Sequence, residues 1–481
     1  MIHPDYEMVI GLEVHAQVTS ESKLFSGSST TFGAEPNTQA NMVDLGMPGV
    51  LPVLNREAVD AGIKLGLALG CRVNRRSVFS RKNYFYPDLP KGYQITQFEL
   101  PIVEHGNITV DLADGSTKNI GVTRMHLEED AGKSVHDFGA DHHSHVDLNR
   151  AGIPLMEIVS EPDMRTPEEA GEYLKKLRSI LRFLEVCDGN MEQGSMRCDA
   201  NVSVRKKGVN TLGTRREVKN LNSIRNVMRA IEYEANHQVD VIENGGAIKQ
   251  ETILWDTNLN ETRTMRSKED AHDYRYFPEP DLLPLNLTEE RIEACAKSMP
   301  ELPDEMKERL IKEYDLSPYD AAVLTLSKAN AKFYEVVVGG KNDAKLCSNW
   351  VTGELFGALN KRGLEMNESP VSPEQLGELV AMISDNTISG KIAKTVFEEM
   401  LETSRNPKDI VEEKDLVQIT DTDAITAIIN KVIEANPDNV AKFKGGNDRL
   451  FGFFVGQVMK ETGGKANPKI VNEILKNELS A

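Results

Sequence analysis

The chain has 481 residues, more than a single hydrophobic core usually supports, so two to four domains are expected. Its 40% apolar and 27% charged residues are those of a globular protein, and no apolar run approaches the roughly 20 residues of a membrane-spanning helix. The net charge of −19 argues against a uniformly basic nucleic-acid binder, and five cysteines with no C-x-x-C spacing argue against a disulfide framework or a zinc knuckle. The opening residues show neither a secretory signal nor an Arg-rich transit peptide, so the cytoplasm is the expected compartment and no membrane is involved.

In the first strand, Met8, Ile10, Leu12, Val14, Ala16 and Val18 alternate with Gly11, Glu13, His15 and Gln17. Glu13 and His15 therefore project from one face, about 7 Å apart. Between Cys71 and Gln94 six basic residues, Lys82 and Lys91 among them, face one acid, Asp88. Tyr84, Phe85 and Tyr86 are interleaved with these charges, a mixture that suits phosphates and stacked bases, with a tyrosine-rich packed loop as the alternative. The strand pattern of 123–129 holds Met125 and Leu127 on one face, and Glu129 is the next member of that face.

Ala131-Gly132-Lys133-Ser134 ends like a phosphate-binding P-loop, but the first glycine of that motif would fall at Leu127, so a P-loop is excluded. His136, His142, His143 and His145 crowd a segment expected to be a surface loop. In 153–159, Glu157 shares a face with Ile153, Leu155 and Val159. An amphipathic helix is expected from Pro167, capped by Thr166, with Leu174, Leu177, Ile180, Leu181 and Leu184 on one face. Asp199 lies opposite Cys198, Ala200, Val202 and Val204 in a further strand. From Arg205 to Arg229 eight basic residues, including Arg215, Arg216 and Lys219, face only Glu217, a stripe that suits phosphates or a solvated face.

Pro278 to Pro284 forms a proline-punctuated connector, placing a boundary near residue 285, after which the pattern is almost wholly helical. A second connector is expected at 403–409. Beyond it a helix over 448–462 with Gly463 past its end, and another opening at Asn467-Pro468 with Ile470, Val471, Ile474 and Leu475 on one face, predict a small helical module. No G-x-G-x-x-G or G-x-S-x-G motif occurs in a supporting context.

A carboxylate set among core positions is costly unless it is paired or ligated. If the four strands share a sheet, Glu13, His15, Glu129, Glu157 and Asp199 would form an oxygen-rich site with one imidazole, suited to Mg²⁺ or Mn²⁺ bridging nucleotide phosphates. Structural salt bridges to Arg or Lys are the alternative that spacing leaves open.

The motifs Val9-Ile10-Gly11-Leu12-Glu13-Val14-His15, Arg81-Lys82-Asn83-Tyr84-Phe85-Tyr86-Pro87-Asp88, His126-Leu127-Glu128-Glu129-Asp130-Ala131-Gly132-Lys133, Val146-Asp147-Leu148-Asn149-Arg150, Arg197-Cys198-Asp199-Ala200-Asn201 and Asp273-Tyr274-Arg275-Tyr276-Phe277-Pro278 together resemble the GatB/GatE family of tRNA-dependent amidotransferase chains. The resemblance runs essentially the full length. It favours the B type, because no large synthetase-like insertion interrupts the chain.

The resemblance implies an α+β architecture: a β-rich cradle domain over 1–285, an all-helical domain over 286–405 and a small YqeY-like helical tail over 406–481. It implies use of Mg²⁺ and ATP to phosphorylate the side-chain carboxylate of Glu-tRNA(Gln) or Asp-tRNA(Asn). Amidation then uses ammonia from an amidase-type glutaminase, the A chain of a heterotrimer, in which a small C chain clasps the other two. It maps metal ligands onto Glu13, His15, Glu129, Glu157 and Asp199, phosphate binding onto Lys82, Lys91 and Arg197, and catalysis onto Glu129, Lys82 and Arg197. Tyr84, Arg215, Arg216 and Lys465 are the implied tRNA contacts, and Glu128 and Asp130 are read as structural pairs or outer carboxylates.

Overall fold

The computed structural model describes residues 2–135, 144–267, 273–419 and 421–480. His136, His142 and His143 lie outside these residues. The chain divides into two units, Met1–Pro303 and Asp304–Ala481.

The first unit is organised by one large mixed sheet. The strands of this unit are β1 (Tyr6–Gln17), the short β2 (Arg72–Val73) and β3 (Arg76–Ser77), β4 (Ser80–Asn83), β5 (Tyr93–Thr96), β6 (Val103–Asp111), β7 (Thr117–Glu129), β8 (Lys133–Val135), β9 (His145–Asp147), β10 (Pro154–Ser160), β11 (Met196–Lys206), β12 (Arg216–Leu221), β13 (Glu251–Asp256), β14 (Glu261–Ser267), β15 (Phe277–Pro278) and β16 (Leu285–Asn286), which pairs with β3. The spatial order is β14-β13-β12-β11-β1-β10-β7-β5-β4-β15, with β6 joining β7 to β2, while β8 and β9 form a separate hairpin and β3 lies outside the main sheet. Pairing is antiparallel except between β12 and β13.

The two-residue period of the central strands decides which face is covered. Ile10, Leu12, Val14 and Ala16 of β1, Met125 and Leu127 of β7, Met156 and Ile158 of β10, and Cys198, Ala200 and Val202 of β11 are all buried. They join one core with residues of the helices α1 (Arg56–Ala68), α2 (Pro167–Phe183) and α3 (Ile224–Glu243). Each large aliphatic side chain among them contributes about 1.5–3 kcal/mol by leaving water. Helix α2 starts where expected: the Thr166 hydroxyl accepts from Glu169 N at 3.2 Å, Pro167 opens the first turn, and Leu174, Leu177 and Leu181 are fully buried. The other face of the central strands carries Glu13, His15 and Gln17 of β1, the start of the polar site.

The boundary expected near 285 falls too early. The helix Glu289–Lys297 packs into the first unit, where Ile292 and Cys295 enter its core and Arg291 Nε donates to Asp60 Oδ1 at 2.8 Å. Proline connectors mark a break in regular structure, and here the hydrophobic stripe after the break still belongs to the earlier core.

Among its described residues the second unit is helical, with one isolated bridge between Ile419 and Ala466. The connector at 403–409 is a tight turn: Ser404 adopts φ 53°, and the helix Pro407–Glu413 packs back on Gly390–Thr403. A separate small core forms farther on, from Ile425, Ile429, Val432, Phe454, Val458, Val471 and Leu475. The two expected tail helices are present as Leu450–Glu461 and Pro468–Ser480, the latter with Asn467 Oδ1 accepting from Lys469 N at 2.9 Å. All five cysteines are buried free thiols.

Candidate metal and phosphate site

The site begins with strand register. His15 on β1 stands opposite Glu157 on β10, and Glu157 stands opposite His126 on β7. Side chains at paired positions share a face, so three neighbouring strands place an imidazole, a carboxylate and a second imidazole in a row. Glu128, two residues beyond His126, completes the group. His15 Nε2 lies 3.3 Å from Glu157 Oε2 and 3.7 Å from Glu128 Oε1, while His126 Nε2 lies 3.6 Å from both Glu128 Oε2 and Glu157 Oε2.

Potential ligand atoms of His15, Glu128 and Glu157 all lie within 4.8 Å of one another. The Glu128 side chain is 3% exposed and that of Glu157 13%, so two carboxylates share a space largely removed from water. Burial pushes both upward in pKa, but His126, His15 and Lys82 outweigh it for Glu157, and His126 and Lys82 do so for Glu128, so both are held below the usual carboxylate range. For His15 the order is the same: burial opposes the charged form, but Glu157 and Glu128 raise the imidazole. Two ionised acids this close require positive charge between them. The donor set of two carboxylates and an imidazole fits a divalent cation, and His126, whose Nδ1 is buried without a hydrogen-bond partner among the described residues, stands behind the carboxylates.

Lys82 supplies the neighbouring positive charge. It projects between aromatic rings, with Nζ 5.0 Å from the Tyr274 centroid and 5.9 Å from that of Tyr84. Burial acts to lower its pKa, but Glu128, Glu157 and nearby tyrosines hold it above the usual lysine value, so it stays charged. Arg197, in register with His15 on β11, donates from an Nη atom to Asp130 Oδ2 at 2.7 Å. Asp130 also accepts from Gln17 Nε2 at 2.9 Å and lies 3.7 Å from Arg150 Nε, which fixes Arg197 on the polar face.

The other residues singled out from sequence are placed differently. Glu13 accepts from Asn201 Nδ2 at 2.9 Å, and burial, together with Glu157 and Glu217, raises its carboxyl above the usual range. Asp199 faces Glu13 across β1 and β11 but is paired with Lys219 at 2.6 Å. Glu129 is ion-paired with Lys91 and accepts from Ile95 N at 2.9 Å. Of the five residues expected to hold a metal, the structure therefore brings His15 and Glu157 into coordinating reach, leaves Glu13 alongside, and engages Glu129 and Asp199 with lysines. Lys91 is thereby tied to Glu129, away from the role of a free phosphate-binding charge.

Sequence patterning ranks Glu128 as secondary and does not single out His126 as a site residue at all. Met125 and Leu127 face the helix-covered core, so the polar face is built from the even positions of β7. The signal is present: His126-x-Glu128 is the same same-face spacing that marks Glu13-x-His15.

Among the implied tRNA contacts, Tyr84 lies beside Lys82 and its hydroxyl is 3.2 Å from Gln94 Oε1. Arg215 is exposed. Arg216, by contrast, is buried between Glu234 at 3.2 Å and Glu251 at 3.0 Å, and so presents no charge to a phosphate. In the second unit Lys465 pairs with Asp415 at 2.8 Å.

The fold and site define an α+β enzyme chain whose carboxylate–imidazole centre sits on one face of a mixed sheet. Comparison with known proteins places it more closely. Residues 8–293 match the GatB/GatE catalytic domain, and residues 332–479 match the GatB domain of the Yqey type. The chain is 60% identical over 480 residues to the B subunit of the aspartyl/glutamyl-tRNA(Asn/Gln) amidotransferase of Thioalkalivibrio sulfidiphilus, covering 99% of this chain and 100% of that protein. Proteins of the same name from Alkalilimnicola ehrlichii, at 59% identity over 99% of this chain and 100% of the relative, and from Pelagibacter ubique, at 58% over 98% and 96%, are similarly close. The chain belongs to the GatB/GatE family.

Proposed function

We propose that this chain is the component of a tRNA-dependent amidotransferase in which the side-chain carboxylate of Glu-tRNA(Gln) or Asp-tRNA(Asn) is phosphorylated by ATP and then amidated. The observation that carries this reading is the His15–Glu157–Glu128 cluster with Lys82 beside it, a centre with negative ligands for a metal and a cation for phosphate. Full-length similarity to proteins named for this reaction supports it.

A carboxylate resists attack by ammonia because oxide is a poor leaving group. Transfer of the γ-phosphoryl group to one carboxylate oxygen gives an acyl phosphate and ADP. Attack of ammonia on the acyl carbon then expels inorganic phosphate and leaves the amide, with the displaced proton passing to solvent. His15, Glu128 and Glu157 would hold the cation, Mg²⁺ or Mn²⁺ by their chemistry, which supplies charge neutralisation at phosphate oxygens when bound. Lys82, kept charged by the two carboxylates, offsets charge on the transferring group, and Arg197, oriented by Asp130, supplies planar donors from β11. Glu13, which accepts from Asn201 Nδ2, adds a further carboxylate on the same face of β1.

The family resemblance supports an amidase-type glutaminase, the A chain, as ammonia source and a small C chain as the clasp, in a cytoplasmic heterotrimer. Among the described residues no helix is long and apolar enough to cross a membrane. The cradle chemistry belongs to the first unit, while the helical segment and the YqeY-like tail, with Lys465, supply tRNA contacts. The test is ADP release by the assembled complex without ammonia: Glu-tRNA(Gln) or Asp-tRNA(Asn) should elicit it and deacylated tRNA should not. Equal release with deacylated tRNA would rule out the aminoacyl carboxylate as phosphoryl acceptor.

A further inference from the structure

Two segments singled out in the sequence, Ala131-Gly132-Lys133-Ser134 and Val146-Asp147-Leu148-Asn149-Arg150, supply no ligand to the metal cluster, yet they meet in space. Arg150 donates from Nε to Ala131 O at 2.9 Å and from an Nη atom to Gly132 O at 2.6 Å, and the hairpin β8–β9 pairs Lys133 with Asp147. The junction is tight: a Cβ on Gly132 would lie 2.9 Å from the carbonyl oxygens of Asp147 and Asp88, so only glycine lets the two segments close. Together they wall a cleft of about 770 Å³ whose lining includes Gln17, Lys133, Asp147, Arg150, Glu192 and Ser195. Gln17 lies two residues beyond His15 on the same face of β1, about 7 Å along the strand, and it is bonded to the Asp130 that orients Arg197. Through Gln17 the cleft therefore lies one same-face step of β1 away from the metal cluster.

Its chemistry is mixed in a specific way. Arg150 is fixed through Nε and one Nη, leaving the other Nη for a ligand, and Lys133 and Glu192 are exposed with no ion-pair partner among the described residues. A ligand for this surface carries both charges on a polar body of nucleoside size, and clefts of roughly 300–1,000 Å³ hold such molecules. An aminoacyl ester on a terminal ribose has a free α-ammonium, a side-chain carboxylate, hydroxyls and a base.

We propose that this cleft receives the aminoacylated 3′ nucleoside of the tRNA, with Glu192 holding the α-ammonium and Arg150 and Lys133 the phosphate on the 5′ side of that nucleoside, so that the side-chain carboxylate reaches the His15 end. The proposal rests on the reading above that aminoacyl-tRNA is the substrate.

The test compares Glu-tRNA(Gln) with its N-acetylated form, which lacks the ammonium, as substrates of the assembled complex supplied with free ammonia. Acetylation should lower kcat/KM of the wild type at least tenfold. Glu192→Gln should lose about the same factor on the unblocked substrate, abolish the discrimination, and leave the KM for ATP and the melting temperature unchanged. Equal use of both substrates by the wild type, or retained discrimination in Glu192→Gln, would overturn the assignment while leaving the proposed reaction standing. Failure of the wild type to amidate even unblocked aminoacyl-tRNA would overturn both.

Discussion

His15 and Glu157 face each other across β1 and β10, with Nε2 3.3 Å from Oε2, and Glu128 closes the group at 3.7 Å from the same nitrogen. The contact arises from register, since a one-residue slip of either strand would send one partner into the helix-covered core. Removing a ligand should therefore empty the site without unfolding the sheet. Glu157→Gln and Glu128→Gln should each weaken Mn²⁺ binding, followed by titration calorimetry, by roughly tenfold or more. Glu129→Gln, which removes a partner of Lys91, should leave Mn²⁺ affinity within a factor of about three.

Metal removal tests the same centre from the ligand side. A cation binding only the folded state stabilises it by about 2.7 kcal/mol at roughly a hundred times its Kd. Chelation should lower the melting temperature of the wild type and abolish ATP turnover, both restored by Mg²⁺ or Mn²⁺. In Glu157→Gln the thermal shift on adding metal should largely disappear.

Arg215 and Arg216 are adjacent in sequence and should behave oppositely. Arg216 is buried between Glu234 and Glu251, so Arg216→Ala leaves uncompensated buried acids and should cost about 3–5 kcal/mol of stability, measured by denaturant unfolding. Arg215 is exposed, so Arg215→Ala should leave stability unchanged and, if it meets phosphate, reduce the salt slope of tRNA binding by about one.

The thiols should be inert while the protein is folded. Burial pushes Cys71, Cys187 and Cys347 up to about 12. Because the folded values are raised, the reactive thiolate is roughly one part in ten thousand at about pH 8 and grows only as pH approaches about 12. A chromogenic disulfide reagent should react slowly with the native chain at mildly alkaline pH and with all five cysteines after denaturation.

Much of the fold was legible because its signals are local. The alternation from Met8 to Val18, the Thr166 cap with Leu174, Leu177 and Leu181, and Asn467-Pro468 each depend on neighbours in the chain. The partners of long-range contacts were not. Nothing in 278–303 announces that Ile292 and Cys295 complete the first core. The basic stripe from Arg205 to Arg229 likewise says nothing about Glu234 and Glu251, which neutralise Arg216 from α3 and β13. The site was half legible for the same reason. Same-face spacing found His15 and Glu157, whereas choosing Glu128 over Glu129 required knowing which face of β7 the helices cover.

The most direct measurement is ATP-dependent amidation of Glu-tRNA(Gln) and Asp-tRNA(Asn) by the assembled complex supplied with free ammonia, comparing wild type with Glu157→Gln. Loss of amidation by about a hundredfold or more, with assembly and tRNA binding retained, is the expected outcome. Undiminished amidation by Glu157→Gln would be incompatible with a metal centre at these side chains and would move the metal-dependent step away from the His15–Glu157–Glu128 cluster.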